Sequence, residues 1–175
     1  MLKALDMAAE MSGWGTPLPG GTARAIALEE RGAEGGAHAT ISAIAYTVSV
    51  SKQGKVRVER VDIAHEEGFG LVNPLTVKKQ LEGQITWFYN DVMYQECNVE
   101  DGRIVENNFD TFLLSRINED PPEINIRFFK SGHWLDGMGH DRGLSIQSAI
   151  ADCVFQVTGK RYRDLPLRHH DLTWS

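Results

Sequence analysis

Ile41-Ser-Ala-Ile-Ala-Tyr-Thr-Val-Ser-Val50, followed by Lys52-Gln-Gly-Lys55 and Val56-Arg-Val-Glu59, decides the fold class. Ile44, Tyr46, Val48 and Val50 alternate with Ala45, Thr47 and Ser49, and Val56 and Val58 alternate with Arg57 and Glu59. Only a period of two places those side chains on one side of a pleated strand. The Lys52–Lys55 stretch turns the chain between the two runs. The expectation is a β-hairpin with one apolar and one wet face, within a period-two region from Ala37 to Ala64.

Outward from this hairpin the period changes to that of a helix. Leu2, Leu5 and Ala9 fall at i, i+3 and i+7, and Ser12-Gly13 ends that run. Thr16–Gly21 is a turn-rich connector, Ala23–Leu28 a short strand, and Arg31–Gly36 a loop. Asn73-Pro74 has the chemistry of a helix start: asparagine accepts free first-turn amides and proline fits the first helical position. Val77, Leu81, Ile85, Phe88 and Val92 then recur at steps of three and four, which predicts a long, mostly buried helix. Asp101-Gly102 marks the tip of a turn, and Ile124, Ile126 and Phe128 alternate as a further strand. Ile146, Ala149, Ile150, Cys153, Val154 and Val157 form a last helical stripe, stopped at Thr158-Gly159. The expected class is α+β: mixed or antiparallel strands packed with two or three long helices.

The chain has 175 residues, 42% hydrophobic and 24% charged, enough apolar material for a core and too much for a disordered chain. Eighteen Lys and Arg against 24 Asp and Glu leave a net charge of −6, which disfavours nucleic acid as a partner. No stretch approaches the roughly 20 apolar residues of a spanning helix, and no secretory signal is visible. A soluble protein, cytoplasmic or periplasmic, is expected. Cys97 and Cys153 form no metal pattern and read as buried free thiols.

Gly137-Met-Gly-His140 before a helix is the strongest local signal of chemistry. Glycines let a backbone approach a ligand, and free amides at a helix start favour anions. His140 at that turn could take or release a proton near neutral pH, or simply point into solvent. Gln80 and Glu82 lie in the first turns of the helix expected to be buried, where an amide needs either a ligand or a neighbouring backbone as partner. His65-Glu66-Glu67 reads as solvated charge, because adjacent strand residues point to opposite faces. His169-His170 reads the same way.

Several segments, in order, resemble the C-terminal part of the molybdenum-binding large subunit of the xanthine dehydrogenase/aldehyde oxidase family, isoquinoline 1-oxidoreductase β-subunit type. They are Gly20–Ala27, Val48–Val58, Asn73-Pro74 with Gln80-Leu-Glu-Gly83, and Asp101-Gly102 with Asn108-Phe109. Gly137-x-Gly139, Ala149-Ile-Ala151 and Thr158–Leu167 complete the run. The resemblance implies that residues 1–175 are a C-terminal portion of a molybdopterin-binding domain, either a fragment or a separately encoded subunit. It further implies a molybdopterin cofactor, in the cytosine dinucleotide form, faced by Gln80 and by Gly137, Met138 and Gly139. The implied partners are the remainder of that subunit and an iron–sulfur subunit. The implied chemistry is hydroxylation of an aldehyde or N-heterocycle, with a glutamate after Gly-x-Gly as base; here His140 stands at that position. No residue is expected to ligate the metal directly. An isolated copy is expected to expose apolar surface and to associate with itself.

Overall fold

The computed structural model describes residues 1–32, 39–133 and 143–175. Six strands and three helices are assigned among them: α1 (Leu2–Ser12), β1 (Thr22–Gly32), β2 (Ala39–Val50), β3 (Val56–Glu66), α2 (Pro74–Met93), β4 (Val99–Glu100), β5 (Arg103–Ile104), β6 (Ile124–Phe129) and α3 (Ser145–Thr158). A single 3-10 turn, Leu167–His169, lies near the end. The main sheet has the order β1-β2-β3-β6, with the first two pairings antiparallel and the β3–β6 pairing parallel. The α+β expectation is met.

The hairpin read from the sequence is β2–β3, with Ile44 opposite Ile63, Tyr46 opposite Val61 and Val48 opposite Val58. β1 is longer than Ala23–Leu28, because all eleven of its residues find partners along β2. The large alternating residues Ile44, Tyr46, Val48 and Val50, together with Val56, Val58, Val61 and Ile63, pack against α2 and α3. The expected wet face is a correction: Ala43, Ala45 and Ala64 on the opposite side are fully buried too. There α1 lies across the sheet, with Ala4 and Ala8 against Ala43 and Ala64. Small residues on both surfaces let helix and sheet backbones approach closely, so this layer is thin where the other is thick. The same contact corrects the face of α1: its buried side is Ala4, Ala8 and Ser12, whereas Leu2 is exposed. Gly13 ends the helix in the left-handed conformation at φ 64°.

α1 is also held by charge. Arg60 on β3 donates to its neighbour Asp62 through Nε (2.8 and 3.0 Å) and to the Met11 carbonyl at the end of α1 (2.7 Å). Asp62 is fully buried and accepts further from Asn125 Nδ2 on β6 at 3.1 Å, so its desolvation is offset by a paired guanidinium and an amide.

α2 begins as the sequence predicts. Asn73 Oδ1 accepts from the Thr76 amide at 3.2 Å, and Pro74 occupies the first turn. Burial along it is uneven: Leu81, Gln84, Ile85, Phe88, Tyr89, Asn90, Val92 and Met93 are buried, while Pro74, Leu75, Thr76 and Gln80 are exposed. The short β4–β5 pair turns through Asp101 and Gly102, both at positive φ (48° and 76°), the geometry of a two-residue hairpin. α3 presents Ile146, Ala149, Ile150, Cys153 and Val154 to the core and stops at Gly159, φ 72°.

Candidate functional site

The candidate site is built where α3 begins. Gly143 is buried with φ +105°, a conformation side chains rarely adopt. A Cβ there would meet Ile85 Cδ1 at 3.1 Å, Phe88 Cδ2 at 3.7 Å and the Gln84 backbone at 3.8 Å. The glycine is therefore required by close approach to α2 as well as by its φ. Gln84 and Phe88 lie four residues apart on one stripe of α2, and Gln80 is the next position up that stripe, about 6 Å along the axis.

Burial changes abruptly along this stripe. Gln84 is 7% exposed, and Gln80 is exposed. The expectation of a buried amide at Gln80 is thus corrected: along this stripe the buried positions end between these two turns, although Val77 still packs partly against the core. Glu82 is half-buried and pairs with Lys79 at 2.7 Å and Lys78 at 3.8 Å.

Below Gly143 lies a group that sequence reasoning missed. The Gly143 amide donates to both carboxylate oxygens of Glu29 on β1 (2.9 and 2.8 Å), and the Ser145 amide donates to Glu29 Oε1 at 2.9 Å. A carboxylate at a helix N-terminus is favoured by the free amides and by the helix dipole. Ser145 Oγ also meets the Tyr46 hydroxyl at 3.1 Å. Tyr46 is fully buried; burial, and then the charge of Glu29, push its phenol well above the ordinary range, against the opposing bond from Ser145. The one local signal for Glu29 was a charged pair, Glu29-Glu30, directly after the apolar run Ala25–Leu28.

Gly137, Met138, Gly139 and His140 lie outside the described residues. Among the described residues, no group of three or more His, Cys, Asp or Glu could hold a metal ion.

His65 and Glu66 are buried, which corrects the reading of solvated charge: His65 Nδ1 bonds Ser42 Oγ at 2.7 Å, and Glu66 accepts from the Ile41 amide at 3.2 Å. His169 meets Glu96 at 3.0 Å, and His170 meets the Asp164 carbonyl at 3.0 Å. Cys153 is buried, its thiol pushed up to about 12 chiefly by desolvation, whereas Cys97 is exposed and corrects the reading of two buried thiols. No helix among the described residues is long and apolar enough to cross a membrane.

No family profile matches the chain. Among curated proteins, a membrane-bound aldehyde dehydrogenase (pyrroloquinoline-quinone) of Gluconacetobacter polyoxogenes is 29% identical over 164 residues, 93% of this chain and 21% of that protein. The B subunit of nicotinate dehydrogenase from Pseudomonas putida is 28% identical over 66% of this chain and 10% of its own length. The β-subunit of isoquinoline 1-oxidoreductase from Brevundimonas diminuta is 27% identical over 66% of this chain and 15% of its own length. The chain thus spans between 10% and 21% of the curated relatives it matches. Among solved structures, quinoline 2-oxidoreductase from Pseudomonas putida has a TM-score of 0.63 at 20% identity over 74% of this chain and 17% of that one. The aldehyde oxidoreductase of Desulfovibrio desulfuricans has 0.63 at 20% over 73% of this chain and 14% of that one. A Cu,Mo-CO dehydrogenase has 0.57 at 18% over 68% of this chain and 16% of that one. At these identities the solved structures speak for the fold. The resemblance drawn from the sequence is borne out: an isoquinoline 1-oxidoreductase β-subunit is among the relatives, and the α+β fold is shared with these oxidoreductases.

Proposed function

We propose that the chain is a C-terminal portion of the cofactor-holding subunit of a molybdenum-dependent oxidoreductase acting on an aldehyde or an N-heterocycle. The observation that carries this reading is the seating of Gly143 on α2 one turn below Gln80, in a chain that follows three oxidoreductase relatives in sequence. The proposal assigns the Gly137–His140 segment and Gln80 to one ligand.

The described residues fit one edge of a molybdopterin site. Gln80 offers a carboxamide donor and acceptor on an exposed turn, suited to the polar rim of a pterin. The amides of Gly143 and Ser145 are not part of that fit, since they already serve Glu29. When bound, the cofactor supplies the Lewis-acidic metal and the electron sink. The protein's share is to orient it through Gln80 and the backbone of Gly137, Met138 and Gly139, and to move a proton at position 140. An imidazole there does so near neutral pH, but its conjugate acid is a cation where a carboxyl group would be neutral. The cytosine dinucleotide form of the cofactor and an iron–sulfur partner belong to the same proposal. The name of the Gluconacetobacter relative carries pyrroloquinoline quinone instead, so metal analysis discriminates between the two cofactors.

The remainder of the subunit, on the same or another polypeptide, is the proposed partner. Val72, Phe109 and Ile117 are each more than 90% exposed, and Trp87, Leu75 and Phe69 are exposed as well. That much bare apolar surface suits a packed neighbour, and self-association is expected without one.

The experiment is to assemble the chain with the remainder of the subunit, measure bound molybdenum, and compare oxidation of aldehydes and N-heterocycles by wild type and His140→Glu. Metal in both, with a rise in turnover of tenfold or more in the variant, is expected if position 140 carries the base. The histidine itself favours a second reading, a repurposed binding or assembly module of the same fold. Metal loading with no response to His140→Glu would select that reading.

A further inference from the structure

We propose that Glu29 is a positioning residue: its carboxylate is a built-in anion that closes the N-terminus of α3 to external anions and fixes Gly143 at its start. This closure does not rest on the function proposed above.

Three donor–acceptor contacts converge on this one carboxylate, from the amides of Gly143 and Ser145, and together they engage both oxygens. The contact spans 114 residues of sequence, so it is a tertiary lock between the end of β1 and the start of α3 rather than a local cap. Two further elements brace it. The Tyr46 hydroxyl from β2 holds the Ser145 side chain, and Gly143 is pressed onto Ile85 of α2. A helix start of this kind would otherwise attract a phosphate or another anion, because its amides and dipole have no partner of their own. Here the partner is internal. An external anion in the neighbouring space must therefore find its donors elsewhere.

The test uses the full 175-residue chain without metal, with sulfate as the probe and the Gly143 and Ser145 amides as reporters. In Glu29→Ala their hydrogen exchange should accelerate by tenfold or more, and added sulfate should slow it again. In wild type the same sulfate should leave both amides unchanged. Equal protection in wild type and Glu29→Ala, or an equal response of both to sulfate, would overturn the proposal. Should Glu29→Ala fail to fold, Glu29→Gln keeps the shape and one acceptor oxygen without the charge. Its Gly143 and Ser145 amide resonances should move upfield as charge-assisted bonds become neutral ones; unchanged resonances would contradict the assignment. Because no metal enters these measurements, they can fail while the oxidoreductase reading stands, and the reverse.

Discussion

The two halves of α2 behave as different molecules. From Leu81 to Met93 one face of the helix is core, with Ile85 and Val92 sealed against α3 and the sheet and Trp87 exposed on the other face; from Pro74 to Gln80 it is a largely exposed platform, capped by Asn73, with Val77 partly buried. Periodicity is continuous through both, so the difference is not one of helix propensity. It comes from what lies opposite. Gly143 and α3 cover the stripe at Gln84 and Phe88 and stop there. A helix that is rigidly anchored at one end and open to solvent at the other is suited to hold a side chain such as Gln80 toward a ligand, since rigid support is what gives a site its precision.

The strongest perturbation lies in the buried half. Ile85→Ala removes a side chain that is 1% exposed and should cost about 2–5 kcal/mol in urea unfolding, whereas Leu75→Ala on the platform should stay within about 0.5 kcal/mol. Equal losses at the two positions would mean that the platform is covered in solution.

Two glycines extend the contrast. Gly143→Ala forces a side chain into positive φ and against Ile85, and should destabilise by roughly 1–3 kcal/mol. Gly83, inside α2 with open space around it, should tolerate alanine and gain about 0.5–1 kcal/mol. Thermal melts of the two variants should move in opposite directions.

A smaller effect is the alkaline limb of stability. Burial, and then the charges of Glu119 and Asp120, raise the Tyr89 phenol from 10.0 to about 12, and burial raises the Cys153 thiol from 9.0 to about 12. Both groups stay protonated in the folded chain at pH values where the unfolded chain has lost those protons. Their contribution is intact below about pH 9 and declines as the pH rises toward 12. Tyr89→Phe should flatten this decline between pH 10 and 12, read from denaturant midpoints at fixed pH. In native buffer, a thiol reagent should modify exposed Cys97 quickly and Cys153 only on unfolding.

Much of this was legible in the residues. Asn73-Pro74 with its apolar stripe announces α2, the β2 alternation announces the hairpin, and both glycine stops end their helices as expected. What was not legible depends on partners distant in sequence. Ala4, Ala8, Ala43 and Ala64 carry no strong hydrophobic signal, yet together they make a second buried layer, so the spacing of Leu2 and Leu5 points to the wrong face of α1. The parallel pairing of β6 with β3 is a non-local contact that no local pattern encodes. In the site, the position of Gln80 on its helix followed from the cap. Its exposure, the burial of Gln84 and the lock by Glu29 required knowing what stands across from them.

Whether the open half of α2 holds a metal-bearing cofactor can be read from the molybdenum content of the complex formed by this chain and the remainder of its subunit, in wild type and in Gln80→Ala. Near-stoichiometric metal is expected in wild type and a several-fold loss in the variant, with the melting temperature of the chain unchanged. A wild-type complex that is correctly assembled and carries no molybdenum, or a variant that loads as fully as wild type, would contradict the assignment.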